Sequence, residues 1–197
     1  MAGQKDQALT PSEIWDLITN AIGRPPREYA HRTLKGDAGR YEYGYDKLGN
    51  QVNREVRINR ELAPDQKLLV LPHETGHMAE DLVAGPSGMS IEGLEDELKD
   101  VHSTLRTGIE GLQPPKVPQD FGYSDSEAPS ELVAEGFRAY LTNPNYFKKV
   151  APKSAAAFRA FFNSHPWLSK WIQLNGLGGL AVLGEANGST PDNKSGR

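Results

Sequence analysis

The chain has 197 residues, of which 37% are hydrophobic and 24% charged, a composition typical of one globular domain. Its net charge of -4 and its lack of a lysine/arginine run argue against nucleic acid as a partner. It contains no cysteine, which excludes thiol catalysis, disulfides and cysteine zinc sites. No apolar stretch approaches the roughly 18 residues that a membrane-spanning helix needs, so we expect no membrane span.

We expect three parts along the chain: a disordered lead over residues 1–9, one folded domain over residues 10–183, and a disordered tail over residues 184–197. The first residues, MAGQKDQALTPSEIW, lack the apolar core of a cleaved Sec signal. The protein is therefore either cytoplasmic, or secreted or translocated without such a signal in this sequence. The sequence does not choose between these localisations.

The N-terminal third predicts a helix followed by a β-hairpin. A hydroxyl cap and a proline at Thr10-Pro11 open the helix, whose apolar residues share one face: Ile14, Leu17, Ile18 and Ile22. Tyrosines alternate at positions 41, 43 and 45, as in a strand, and the turn formers Gly49-Asn50 follow. Residues 52–59 then form a second strand with one polar face or an open edge.

The remainder predicts mostly helices. One begins at Pro64 and contains Pro72, which predicts a kink or a restart just before residue 73. A proline-rich loop spans residues 111–123, and further helices are predicted over residues 91–109, 126–141, a short stretch from 144, 152–162 and 166–174. The predicted fold class is α+β, mostly helical, with a small mixed sheet packed on the helix that contains Pro72.

That helix contains LLVLPHETGHMAEDL, residues 68–82, in which two of the five histidines lie four residues apart. Side chains at i and i+4 share a helix face, so His73 and His77 can bind one metal ion. Glu74 lies beside them and can accept a proton from water, as in the H-E-x-x-H pattern of zincin peptidases. A chance match is the alternative, but burying two histidines and a carboxylate would then cost free energy. Gly76 allows another segment to approach closely.

A catalytic zinc site needs a third protein ligand. Glu80 and Asp81 lie on the same helix, where the geometry fits poorly. Asp81 is interpreted either as an acid that supports a ligand from behind or, equally, as an exposed surface acid. His102 is predicted on a helix with a polar face, and His31 and His165 lie in loop-like contexts, so none of the three is favoured as a ligand.

A better candidate for the third ligand lies in SELVAEGFRAYL, residues 130–141. Glu131 and Glu135 are four residues apart and lie next to the apolar face of this predicted helix. A solvated acidic stripe is the alternative interpretation. The helix is otherwise apolar and aromatic, however, so two acids near the core need a partner, and a cation would supply one.

HETGH at residues 73–77 followed by Y-x7-E-x-x-A-E-x-F-R at residues 123–138 resembles the family of the anthrax lethal factor catalytic domain and the Pro-Pro endopeptidases. The likeness continues through NPNYFKKVAPKSAAAFRAFF at residues 143–162. The resemblance implies a zincin-like fold, peptidase activity and Zn²⁺ as the cofactor. The chain departs from the family in two ways. The spacing between Tyr123 and Glu131 is one residue longer, and a helix is added at residues 91–109.

The resemblance also implies roles for single residues. Three residues match the family's metal ligands: His73, His77 and Glu131. Glu74 matches its general base, and Glu135 matches an acid that supports a histidine ligand. Tyr123 matches a tyrosine whose hydroxyl stabilises the oxyanion of the tetrahedral intermediate, although a packing tyrosine would also explain this position.

From these residues we expect a zinc-dependent endopeptidase that hydrolyses peptide bonds in a protein substrate. The resemblance favours a toxin or effector, with an immunity or carrier protein as a further partner. Two alternatives stay open: an intracellular or phage-encoded housekeeping metallopeptidase, and a non-catalytic binding domain with the same fold. Because residues 52–59 have the pattern of an edge strand, we expect an extended peptide substrate to lie along them.

Overall fold

A computed structural model describes residues 8–85, 88–164 and 166, and it confirms an α+β protein with a small mixed sheet. The elements in chain order are α1 (Pro11–Ile22), β1 (Arg27–Tyr29), β2 (Gly39–Tyr45), β3 (Gln51–Asn59), α2 (Pro64–Ala84), α3 (Glu95–Thr107), α4 (Ala128–Thr142), α5 (Pro144–Val150) and α6 (Pro152–Ser164). The predicted helix over residues 166–174, except residue 166, and the predicted tail over residues 184–197 lie outside the described residues. Among the helices described, none has both the length and the apolar character that crossing a bilayer requires.

The three strands lie in the order β1–β3–β2, so β3 is the middle strand. It pairs antiparallel with β2, which confirms the predicted hairpin, and parallel with β1 at residues 57–59. The predicted open edge at residues 52–59 is therefore wrong for residues 57–59, which β1 covers, whereas β1 does not pair with residues 52–56. The very short β1, only three residues long, has no alternating pattern from which it could have been predicted. In the described part of the chain, β2 pairs with β3 alone, so the other edge of β2 is open.

The first helix begins as predicted. The hydroxyl of Thr10 accepts the N–H of Glu13, whose carboxylate in turn accepts the backbone N–H of Thr10 at 2.7 Å, a complete capping box. Leu9 falls within the predicted disordered lead but is part of the folded structure. Its side chain is buried in the core, and its N–H donates to the carbonyl of Leu141 at 2.8 Å.

The two helices that carry the candidate residues, α2 and α4, pack against each other. α2 is continuous through Pro72, so it does not restart there. A Cβ added at Gly76 would lie 2.7 Å from the Cα of Ala134, which confirms that another segment approaches closely at this glycine. Phe137 of α4 also approaches Gly76, and its ring packs on Phe158 and Phe162 of α6 with ring centroids 4.9 and 4.8 Å apart. The core therefore fixes α4 relative to α2.

α3 is shorter than predicted, because the chain forms a turn before Glu95 and the helix ends at Gly108, where φ is 72°. α3 has the predicted polar face, with Asp96 and Asp100 exposed, but His102 itself is fully buried. Its Nδ1 lies 3.1 Å from the carbonyl oxygen of Lys116, and the Lys116 N–H donates to Ser103. These contacts attach the proline-rich loop to α3.

Candidate metal centre

Two successive turns of α2 direct His73 and His77 towards α4. Their Nε2 atoms lie 3.2 Å apart. Glu131 of α4 lies opposite, with one carboxylate oxygen 3.5 Å from His73 Nε2 and the other 3.3 Å from His77 Nε2. One donor atom from each of the three residues lies within 4.8 Å of the other two. The three residues predicted as ligands are thus within reach of a single ion.

The far nitrogens of the two imidazoles face hydrogen-bond acceptors. His73 Nδ1 lies 3.3 Å from a carboxylate oxygen of Glu135, and His77 Nδ1 lies 3.1 Å from the hydroxyl oxygen of Ser130. Both contacts favour a proton on Nδ1, which leaves the Nε2 lone pairs pointing at each other and at Glu131. Such converging lone pairs need a proton or a cation between them. Two imidazoles and one carboxylate are a donor set of catalytic zinc sites, so these residues fit a zinc ion.

The charges of the cluster reinforce one another. Burial lowers the pKa of His73, but hydrogen bonds with Glu131 and Glu135 outweigh burial and raise this pKa to about 10. Burial raises the pKa of both carboxyl groups, yet hydrogen bonds with His73 lower both values below the usual range for glutamate. In the metal-free protein, His73 therefore carries the proton that separates the converging donors.

Glu74, the predicted general base, is buried beside the sheet. Burial raises its pKa, and the backbone N–H of Tyr41 hydrogen-bonds to its carboxyl group. A Cβ added at Gly39 would lie 2.9 Å from Glu74 Oε1, so β2 passes directly over this carboxyl group. A carboxylate whose pKa is raised accepts a proton more readily than an ordinary glutamate, which suits a general base.

Tyr123 shares an open cleft of about 1210 Å³ with the candidate ligands and Glu74. The cleft lies between β2 and α2 on one side and the start of α4 on the other. Burial and the negative charge of Glu131 raise the pKa of Tyr123 to about 12. The phenol therefore stays protonated at neutral pH and can donate a hydrogen bond into the cleft.

Two arginines that the sequence analysis did not single out surround Glu135, which is 1% exposed. Arg106 Nε and Arg138 Nε lie 2.8 and 2.7 Å from its two carboxylate oxygens. Arg138 follows Glu135 by three residues on α4, so helical spacing could have identified it. Arg106 comes from α3, and no local pattern indicates that α3 packs here.

The other residues considered as ligands lie elsewhere. Asp81 is buried and accepts hydrogen bonds from the hydroxyl of Tyr41 at 2.7 Å and from Arg54 Nε at 3.0 Å. It therefore joins α2 to the sheet: the exposed-acid interpretation is wrong, and these contacts do not lead to a histidine ligand. His31 is exposed, as predicted, and His165 lies outside the described residues.

Comparisons of the chain with protein-family models, with curated proteins and with solved structures returned no match. The function is therefore inferred from the geometry and chemistry of the cleft.

Proposed function

We propose that the protein is a zinc-dependent endopeptidase with a zincin-like arrangement of two ligand-bearing helices. The observation that carries the proposal is the convergence of His73, His77 and Glu131 on one point of an open cleft that also contains Glu74. A cluster that served only to stabilise the fold would need neither the cleft nor two imidazoles whose Nε2 atoms face each other.

His73, His77 and Glu131 would hold the zinc ion, which when bound lowers the pKa of water and polarises a carbonyl group. Glu135 supports His73 from behind and is itself fixed by two arginines. Such supporting contacts orient an imidazole and raise its basicity.

The remaining steps fall to residues of this chain. Glu74 removes a proton from the attacking water and delivers it to the leaving amine. The hydroxyl of Tyr123 donates a hydrogen bond to the oxyanion of the tetrahedral intermediate. With a pKa of about 12, Tyr123 retains this proton at neutral pH.

The substrate would lie along β2 rather than β3. Gly39, Tyr41 and Tyr43 of β2 line the cleft, and the edge of β2 that faces away from β3 is open. An extended peptide can add to such an edge as a further strand, using its main-chain hydrogen bonds. The scissile carbonyl would then lie between Glu74 and Tyr123.

Cleavage of a diverse peptide library tests the proposal. Wild type should cleave, whereas Glu74→Gln and chelator-treated wild type should not, since each lacks one part of the machinery. Glu74→Gln should still bind zinc, because its side chain is not a ligand. Glu110→Gln, exposed on the loop after α3, is the matched control and should cleave like wild type. Cleavage that survives both Glu74→Gln and the chelator would contradict the proposal.

A toxin or effector acting on a foreign protein is the biological role we favour, on the basis of the sequence resemblance. The alternatives remain a housekeeping metallopeptidase and a binding domain without catalysis. Neighbouring genes for an immunity protein or a secretion apparatus would favour the first role over the second. A binding domain would be unaffected by Glu74→Gln.

A further inference from the structure

His77 has a hydrogen-bonded support of its own, separate from the arginine-flanked Glu135 behind His73. Its Nδ1 lies 3.1 Å from the hydroxyl oxygen of Ser130, and that hydroxyl lies 2.6 Å from a carboxylate oxygen of Glu80. Glu80 is 6% exposed and lies one turn after His77 on α2, while Ser130 is in the first turn of α4. The two residues therefore connect both ligand-bearing helices behind the imidazole.

The direction of these hydrogen bonds follows from their chemistry. A glutamate carboxylate can only accept, so the Ser130 hydroxyl donates its proton to Glu80. Because its proton is used in this bond, the Ser130 oxygen can only accept a hydrogen bond from His77, so Nδ1 of His77 must carry a proton. The Nε2 lone pair of His77 is left free on the side that faces His73 and Glu131. This is the tautomer that a metal ion at the converging donors requires.

The second carboxylate oxygen of Glu80 holds the segment that follows α2. It accepts the backbone N–H of Met89 at 2.9 Å, and Met89 lines the cleft. The chain passes so close that a Cβ added at Gly88 would lie 2.8 Å from this same oxygen. One carboxylate thus contacts both the support of His77 and the backbone of the cleft wall.

We propose that Glu80, acting through Ser130, is a positioning residue that fixes the tautomer and orientation of His77 and links them to the backbone at Met89. The inference rests on the proposed zinc site, and it adds to that site two residues that are not themselves proposed ligands.

Replacing Ser130 tests the first link. Ser130→Ala removes the acceptor for His77 Nδ1–H and should weaken zinc binding by about 10- to 100-fold, the usual effect of losing such a partner. Ser130→Thr keeps the hydroxyl and should restore most of the affinity. Ser126→Ala, whose hydroxyl bonds to Ser124 at 3.0 Å, is the matched control and should bind zinc like wild type. Affinity is measured on the full chain by competition with a chromophoric chelator.

Two further signals report on His77 itself. In the zinc-loaded protein, the Nδ1–H proton of His77 should give a protected NMR signal in wild type and Ser130→Thr. Ser130→Ala should lose that signal through exchange with water. The absorption spectrum of bound Co²⁺ should change in the same variant, because the geometry of the His77 ligand changes. A residue that merely stabilised the fold would alter neither signal.

A pair of glycine variants tests the role of Glu80 without altering a polar group. Gly88→Ala directs a methyl group at the Glu80 carboxylate, at a φ of +67°. Gly93→Ala has a comparable φ of +75° but meets nothing within 4 Å. Both variants impose the strain of a positive φ on alanine. The difference in zinc affinity between them therefore reports the displacement of the Glu80 carboxylate alone. Zinc affinity should fall in Gly88→Ala and stay unchanged in Gly93→Ala.

Two outcomes overturn the proposal in distinguishable ways. If wild type and Ser130→Ala bind zinc equally and give the same Co²⁺ spectrum, Ser130 and Glu80 do not position His77, although the zinc site stands. If wild type binds neither metal, or if His77→Ala binds as tightly as wild type, the zinc site fails and this inference fails with it. Circular dichroism checks that each variant folds. If Ser130→Ala does not fold, the difference in zinc affinity between Gly88→Ala and Gly93→Ala decides whether Glu80 positions His77.

Discussion

Two regions of the molecule bury a carboxylate among cationic or protonated partners, one on the sheet and one between the helices. On the sheet, Glu55 is 5% exposed, lies 3.4 Å from Arg27 and 2.7 Å from Arg57, and accepts a hydrogen bond from the hydroxyl of Tyr29. All three partners are hydrogen-bond donors, so this cluster is complete without any further component.

Between the helices, Glu131 is 8% exposed and lies nearest to two imidazoles, at 3.3 and 3.5 Å, with Arg106 Nη2 farther away at 3.7 Å. Arginine keeps its proton in proteins, whereas an imidazole can lose one and then offer a lone pair to a metal ion. A buried acid alone therefore does not indicate a metal site, whereas a buried acid that faces the Nε2 atoms of two imidazoles supports the proposed one.

The largest expected effect separates the two clusters directly. Glu131→Ala removes one of three proposed ligands and should reduce zinc affinity by more than the roughly 100-fold that supporting residues reach. Glu55→Ala removes an acid of similar burial and should leave zinc affinity at the wild-type value. Equal losses in the two variants would mean that general destabilisation, not ligation, explains the result. Competition with a chromophoric chelator measures both.

Glu135→Ala should have the next largest effect, a loss of about 10- to 100-fold in zinc affinity, because it removes support for His73 but no ligand. The same competition assay gives the value. A loss greater than that of Glu131→Ala would place the true ligand one helical turn further along α4.

Glu55→Ala should instead lower the stability of the metal-free protein. It leaves Arg57 and Tyr29 without their buried acceptor, which costs about 1–3 kcal/mol. Thermal denaturation measures this cost, and added zinc should raise the melting temperature of the variant and of wild type equally. A zinc-dependent rise that is smaller in the variant would show that the sheet cluster is linked to the site.

The pH dependence of zinc binding should reveal the proton on His73. With a pKa of about 10 in the metal-free protein, His73 is protonated at neutral pH and must release that proton when a cation binds Nε2. Affinity should therefore rise with pH, by roughly tenfold per unit between about pH 7 and about pH 9, and level off above the pKa. Calorimetry in buffers of different ionisation enthalpy should detect the released proton. An affinity independent of pH would contradict the proton-bridged metal-free site.

The parts of this account that the sequence predicted are local. The helical spacing of i and i+4 predicted that His73 and His77 share a face, with Glu74 beside them. The two acids Glu131 and Glu135 were identified because they lie next to the apolar face of a helix that is otherwise apolar and aromatic. The strand order was not predictable, because nothing in the three residues of β1 indicates that they would cover the far side of β3.

Contacts between distant segments were equally out of reach. Asp81 bonds to Tyr41 and Arg54, which lie 40 and 27 residues away along the chain. Arg106 reaches Glu135 only because α3 packs on α4. Such contacts arise from the packing of helices and strands against one another, so no sequence pattern within a single helix or strand predicts them.

The existence of the metal centre is best tested by calorimetric titration of the metal-free protein with Zn²⁺. We expect one zinc ion to bind per chain, and we expect that binding to be lost in a His73→Ala/His77→Ala double variant that still folds. Absence of stoichiometric binding in wild type, or full binding by the double variant, would contradict the proposed metal centre.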